Sequence, residues 1–576
     1  MSVIFEKNID AKMRDGTVLR ADVYRPAADG RYPVLVLRTP YNKEFWPFTF
    51  AAMDPTKAAN AGYAVILQDV RARWASDGDG FFLYRDEYED GYDTIEWAAG
   101  LPFSDGNVGA YGISYMGSTP LQAAATAPPS LKAIAPTTAP FDFFKDHLWR
   151  GGALLWGTLV AWALQAIGPA AHMRSKLGSD DFMPQLLQLV DDIDDYDKWL
   201  RHVPLNNFPP ARPDDPSFLP FFFEILKHPT RDDFNKSIID SDRVENVAVP
   251  TQVIAGWNDL LLAPDLDLFK TLRSRGATEE AREKSRLIVG PWSHGAFLNV
   301  VGEVDFGMRS SGFFLDLKED LTALHLRWFD RWLKGIRTGI DEEPPVKIFV
   351  QGLNRWRDED DWPLARARNT TWFLRAGGGF GPDSPGDDRP ASYVYDPEDP
   401  CITRGGTLLL PGSYPRGPVD QGPVLTRKDV LVYTSEVLHE DMEVTGPVSA
   451  VLYAATSAPD TDWVVKLCDV HPDGRTLNVC DGILRARYRD SMESPTLVEP
   501  NTVNEYEIDL WATSMVFKAG HRLRVIVTSS DFPRYDRNPN TGKLSIDSTE
   551  MTPALQTIFH DANRASHLVL PVIPTQ

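Results

Sequence analysis

The stretch Gly112-Ile113-Ser114-Tyr115-Met116-Gly117 carries the strongest chemical signal in the sequence. A β-type run, residues 108–112 (VGAYG), precedes it, and the helix-compatible MGSTPLQAAAT (116–126) follows. A serine on a sharp strand-to-helix turn presents its hydroxyl beyond the C-terminal edge of a sheet, and small flanking residues relieve the crowding there. The usual pattern is G-x-S-x-G. Here Met116 takes the second small position and Gly117 follows it. The helix N-terminus adds N–H groups and positive dipole character where an oxyanion would develop. Ser114 is therefore the candidate nucleophile, the alternative being a structural turn serine.

A serine hydroxyl needs a base and an orienting acid. On this kind of sheet they follow in the order Ser, Asp or Glu, His, each just past a later strand. The run TQVIAG (251–256) leads into Trp257-Asn258-Asp259, and LIVGP (287–291) leads into Trp292-Ser293-His294-Gly295. Of the eleven histidines, only His294 lies just past a predicted buried strand in the required order. The expected triad is Ser114, Asp259 and His294, and its chemistry is acyl transfer through a covalent intermediate. For the oxyanion, the backbone N–H of Tyr115 is one expected donor. The loop after the first central strand reads Arg38-Thr39-Pro40-Tyr41-Asn42-Lys43, without a glycine-rich segment. Tyr41 either donates its phenol there or is a packing residue, and the local sequence does not choose.

These side chains need elements to hold them. Runs 32–38 (YPVLVLR), 63–69 (YAVILQD), 108–112 and 131–136 (LKAIAP) are dense in Val, Ile, Leu and Ala without polar alternation. Such runs read as strands buried on both faces. Helix-like stretches (86–99, 116–126) separate them, giving βαβ units and a parallel sheet. Between about 139 and 247 the texture turns rich in Trp, Phe and Leu, with few β-type runs, as in a helical insertion. Residues 151–168 (GGALLWGTLVAWALQAIG) reach the minimum length of a membrane span but contain Thr158, Gln165 and four glycines. With Gly151, Gly152, Gly157 and Gly168 among them, they read as a buried or pocket-lining helix. From about 345 the chain becomes rich in strands and turns, as in a β-sandwich or jelly roll. The predicted class is α/β. An α/β-hydrolase domain (1–140 and 248–345) is split by a helical cap insertion (141–247) and followed by a jelly-roll β domain (346–576).

Composition narrows the partners. The 576 residues include 81 Asp+Glu against 59 Lys+Arg, a net charge of −22, which disfavours nucleic acid and anionic membrane surfaces. A neutral or cationic small molecule fits that field better than a polyanion. The three cysteines (Cys401, Cys468, Cys480) exclude a disulfide scaffold or a multi-cysteine metal cluster. The start, MSVIFEKNIDAKMRDG, shows no basic region followed by an apolar stretch. The expectation is a cytoplasmic enzyme with no cofactor, no metal, a small-molecule substrate, and a homodimer among the allowed assemblies.

The motifs also match a known family. RTPYNK (38–43), QDVRARWASDG (68–78), DGNVGAYGISYMG (105–117), AGWND (255–259) and VGPWSH (289–294) lie in the first part. WRDEDDWPL (356–364), GGTLLL (405–410), TDWVVKLCDVHPDGR (461–475) and FPRYDRNPNTG (532–542) lie in the last. With these the chain resembles the cocaine-esterase and X-prolyl dipeptidyl-peptidase superfamily of serine hydrolases. The resemblance implies the architecture above, triad roles for Ser114, Asp259 and His294, and an oxyanion role for Tyr41. It places Trp162, Leu261, Leu409 and Leu410 around a bulky, aromatic or apolar acyl group. It also offers two other activities, X-prolyl peptidase and α-amino-acid ester hydrolase. The latter relatives use carboxylates two and three residues after the triad aspartate, where this chain has Leu261 and Leu262. The reading from another class is a non-catalytic, carbohydrate-binding protein, which the intact triad opposes.

Overall fold

The computed structural model describes residues 2–145, 147–215 and 217–574. Its first body is built on a ten-stranded sheet. The strands are β1 (Val3–Lys12), β2 (Val18–Pro26), β3 (Tyr32–Thr39), β4 (Ala64–Asp69), β5 (Ser104–Ile113), β6 (Leu131–Thr137), β7 (Gln252–Asn258), β8 (Arg286–Ser293), β9 (Val346–Val350) and β10 (Arg355–Glu359). They lie in the order β1-β2-β4-β3-β5-β6-β7-β8-β9-β10. Every neighbour pair from β4 to β9 is parallel, and antiparallel strands close both edges.

The unbroken apolar runs explain this sheet. Successive side chains of a strand point to opposite faces. Val34 and Val36 enter one buried core, while Leu35 and Leu37 enter the other. The first core is covered by helices Glu87–Ala99, Tyr115–Ala124 and Leu262–Arg275, and the second by Leu321–Leu333. Asp320 caps that last helix, accepting from Ala323 N–H at 2.7 Å.

Between β6 and β7 the chain leaves the sheet and forms the expected helical cap. Its first long helix runs Trp156–Ala161, then a π-helical segment Trp162–Ile167, then Gly168–Lys176. This covers the end of the 151–168 stretch, as a buried helix; no helix among the described residues is long and apolar enough to cross a membrane.

The C-terminal body is the expected jelly roll. An eleven-stranded sheet, with long strands Met442–Thr456, Asp462–Val470, Thr476–Arg485 and Asn504–Phe517, wraps a core that includes Trp463, Leu467, Tyr506 and Val525. One expectation is corrected. The run VKIFV, read as opening this domain at 346, is β9 of the first sheet and pairs in parallel with β8; β10 follows it in a hairpin. Val346, Ile348, Phe349 and Val350 are all buried, as a parallel strand between layers requires.

Buried charges join the bodies. Asp481 accepts from Arg150 of the cap at 3.0 Å and from Arg534 at 2.7 Å, and the Arg150 guanidinium lies 3.6 Å from the Trp511 ring centroid. These two guanidinium groups hold the Asp481 carboxyl down at about 2, against the burial that would raise it.

Candidate active site

Ser114 occupies the turn between β5 and the helix Tyr115–Ala124 with φ 61° and ψ −127°. Such a conformation costs a non-glycine residue about 1–3 kcal/mol and persists only where its surroundings over-determine it. Here they do. Ser114 N–H donates to Thr137 O at 3.0 Å, and Ser114 O accepts from the N–H of Gly117 at 2.8 Å and of Ser118 at 3.1 Å. The crowding also accounts for the glycines: a Cβ on Gly112 would lie 2.2 Å from Met116 O, and one on Gly117 would lie 2.9 Å from Ala139 Cβ. The close approach falls on Gly117, so the motif accommodates Met116.

The next residue is locked in place. Tyr115 O–H donates to Glu87 Oε1 at 2.9 Å and accepts from Tyr84 N–H at 3.0 Å, while its ring stacks on Tyr84 at 4.1 Å. Glu87 in turn pairs with Arg38 at the end of β3. Tyr115 is the first residue of its helix, where N–H groups have no intrahelical acceptor. Its N–H is thus fixed beside the Ser114 hydroxyl as a donor.

The three residues expected from separate strand ends converge. His294 Nε2 lies 2.9 Å from Ser114 Oγ, and His294 Nδ1 lies 3.0 Å from each Asp259 carboxylate oxygen. Asp259 is fully buried and also accepts from Leu261 N–H at 2.8 Å. Asn258 Nδ2 donates to Pro291 O at 2.8 Å, tying the loop after β7 to the end of β8. A Cβ on Gly256 would come 2.4 Å from Trp292 O, so this glycine lets the two strand ends approach.

Tyr41 faces the same hydroxyl. Its oxygen accepts from Trp162 Nε1 at 2.9 Å, which leaves its own hydrogen to donate. Burial pushes its phenol up to about 12, so it stays protonated at neutral pH. Two residues that the sequence reading passed over hold its loop: Arg73 Nε and Trp74 Nε1 donate to Pro40 O at 2.9 and 3.0 Å. Both lie in the QDVRARWASDG motif, which was a signal available in the sequence. Arg73 Nη1 also reaches Ile167 O of the cap at 3.3 Å.

A chamber of about 660 Å³ opens on Ser114 and His294, walled largely by apolar and aromatic groups such as Phe45, Phe48 and Trp74. Trp162, Leu409 and Leu410 line it. Leu261 does not: it lines an adjoining recess of only about 30 Å³, shared with Trp162 and Leu409. The predicted acyl-group residues are therefore divided between two spaces. The π-helical segment starts at Trp162 and turns Gln165 and Ala166 to the chamber as well. Leu409 and Leu410 arrive from the β domain on a loop whose ends are pinned by reciprocal bonds between Gly406 and Gly417 at 2.7 and 2.8 Å.

Two further site residues have no local sequence signal. His147 lines the recess; burial and the neighbouring His294 push its imidazole down to about 3, so it is neutral. Arg416 comes from the Gly406–Gly417 loop, lines the chamber, and donates to His294 O at 3.0 Å. Away from this site, Asp469, His471 and His521 place ligand-type atoms within 4.8 Å of one another in the β domain. There His521 Nδ1 lies 2.9 Å and His471 Nε2 3.3 Å from the Asp469 carboxylate, an arrangement that works as a hydrogen-bonded clasp between two strand ends.

Residues 15–296 match the model of the X-Pro dipeptidyl-peptidase (S15 family), and residues 338–569 match that of the X-Pro dipeptidyl-peptidase C-terminal non-catalytic domain. The chain is 37% identical to the cocaine esterase of Rhodococcus sp. (strain MB1 Bresler), with 98% of each chain covered. Among solved structures it is similar to an aminopeptidase from a marine sediment archaeon, Thaumarchaeota archaeon, with TM-score 0.81 and 25% identity over 99% of this chain and 97% of the other. It is similar to the same degree to an α-amino-acid ester hydrolase, with TM-score 0.80 and 25% identity over 99% and 96% of the two chains. Over nearly its whole length, the chain belongs to the cocaine-esterase and X-Pro dipeptidyl-peptidase (S15) family of α/β-hydrolase serine hydrolases.

Proposed function

We propose that this hydrolase cleaves carboxylic esters carrying a bulky, aromatic or apolar acyl group, through an acyl-enzyme on Ser114. The observation that carries this reading is the continuous relay Ser114–His294–Asp259, with spacings of 2.9 and 3.0 Å, opening onto an apolar chamber. His294 Nε2 takes the Ser114 proton as Oγ attacks the carbonyl carbon, and returns it to the leaving alcohol. Asp259 holds the imidazole tautomer with Nδ1–H directed at the carboxylate and stabilises the imidazolium. Tyr41 O–H and the Tyr115 N–H donate to the oxyanion. Water, activated by His294, then releases the acid.

The size of the chamber supports a bulky group there, against Trp162, Leu409 and Leu410, whereas the recess over Leu261 suits a small substituent. Binding of a substrate ammonium is opposed by the walls. Leu261 and Leu262 are buried apolar residues, and no Asp or Glu lines the chamber or the recess among the described residues. That disfavours the α-amino-acid ester and X-prolyl peptidase alternatives, which both recognise an amine. A cytoplasmic setting is supported by three cysteines that are all free.

The test is a panel of esters in which acyl size and alcohol are varied independently, run beside an X-Pro anilide. The expected result is turnover of benzoate-type esters with kcat/KM at least about tenfold above the anilide. Faster cleavage of the anilide would replace this reading with the peptidase one.

A further inference from the structure

Among the described residues lining the chamber, Arg416 alone carries a permanent charge, and none is an aspartate or glutamate. Its guanidinium has five N–H donors. One nitrogen, Nη1, donates to His294 O, and no carboxylate lies within ion-pair distance among the described residues. Asp259 attracts it from farther away, but that carboxylate is already engaged by His294 Nδ1 and Leu261 N–H. The position is not accidental to a floppy chain. Arg416 immediately precedes Gly417, whose φ of 82° and two bonds to Gly406 fix the end of the loop. A partly desolvated guanidinium without a paired anion is costly in a folded protein, and a carboxylate or other planar oxyanion is its natural bidentate partner.

We propose that Arg416 anchors a carboxylate subsite, so that the preferred esters carry a carboxylate on the group that fills the chamber. This rests on the ester-hydrolase reading and deepens it by naming the substrate's charge. It also reverses the expectation drawn from the net charge of −22: the overall field favours cations, but the chamber wall presents a cation to the ligand. An ammonium-bearing group in the chamber would meet Arg416 with no acid to compensate it.

Two matched pairs of esters test this and locate the carboxylate. One pair is 4-nitrophenyl hydrogen glutarate against 4-nitrophenyl methyl glutarate, with the charge on the acyl side. The other is 3-carboxyphenyl butyrate against its methyl ester, with the charge on the alcohol side. The wild-type enzyme is expected to favour the carboxylate member of at least one pair by about tenfold or more in kcat/KM, the size of a charge-assisted hydrogen bond. Arg416→Gln is expected to abolish that ratio and Arg416→Lys to keep part of it. A residue acting only by supporting His294 would slow both members equally and leave the ratio unchanged. A wild-type ratio near one in both pairs, or the same ratio in Arg416→Gln, overturns the subsite. If the wild type cleaves none of the four, it is the ester reading that fails. Calorimetry of benzoate against benzamide then decides the subsite alone: tighter benzoate binding that Arg416→Gln removes supports it, and equal binding overturns it.

Discussion

Hydrogen bonds of 2.9 and 3.0 Å link Ser114, His294 and Asp259 in one chain, so under the proposed mechanism their effects should not add. Ser114→Ala should lower kcat/KM by at least about 10⁴-fold, and His294→Ala on top of it should cost little more, as measured by ester turnover of the purified variants. Tyr41 tests a different step. Its oxygen accepts from Trp162 and burial keeps it protonated, so its one hydrogen is left to donate. Tyr41→Phe should lower kcat by about 10²–10³-fold with little change in KM, because an oxyanion donor acts on the transition state. A change confined to KM would make Tyr41 a packing residue after all. Ser114, Asp259 and His294 were legible in the sequence because each immediately follows a buried apolar run, and the order of those runs is the order of the roles. His147 and Arg416 were not, since each lies in a loop whose course is set by contacts hundreds of residues apart in sequence.

Elements explain both the successes and the one correction. A run such as YPVLVLR declares itself because positions 33–37 are all apolar, and its alternate residues enter two separate cores. VKIFV, with Lys347 inside it, is also a β-type run, yet its assignment to a sheet depends on its neighbour; only the parallel register with β8 places it in the first sheet. The site's wall is likewise a meeting of elements. Gly157 at the start of the cap helix packs directly under the chamber loop: a Cβ there would lie 2.5 Å from Leu410 Cδ2 and 2.6 Å from Pro533 O. Gly157→Val should therefore displace the Leu409–Leu410 segment and raise KM for bulky esters more than it lowers kcat. Equal loss of kcat for large and small esters would instead indicate damage to the relay.

Across the whole molecule, the chamber takes its wall from the hydrolase body, the cap and the β domain, and buried charges tie the last two together. Asp481 between Arg150 and Arg534 is the centre of one clamp. Asp481→Asn would leave the buried Arg150 without its anion and Arg534 with only Asp531 at 3.7 Å, a loss of about 3–5 kcal/mol. The expected outcome is a fall of several degrees in apparent Tm, with Arg534→Met on the Asn background recovering part of it. Acid should weaken the fold by a second route. Burial lowers His325, on the Leu321–Leu333 helix, to about 4. The unfolded chain takes up a proton near pH 6.5 that the folded one refuses until about pH 4, so stability falls as pH drops through that window. His325→Leu should flatten this part of the Tm–pH profile; a profile identical to wild type would contradict it.

The central claim is that Ser114 is the nucleophile served by His294. The most direct measurement is mass mapping after treatment with a 4-nitrophenyl alkylphosphonate, which is attacked as an ester is but leaves a stable adduct. One equivalent of 4-nitrophenol should be released, and the adduct should lie on the peptide containing Ser114, with labelling suppressed in His294→Ala. An adduct on another residue, or undiminished labelling of Ser114→Ala, would contradict it.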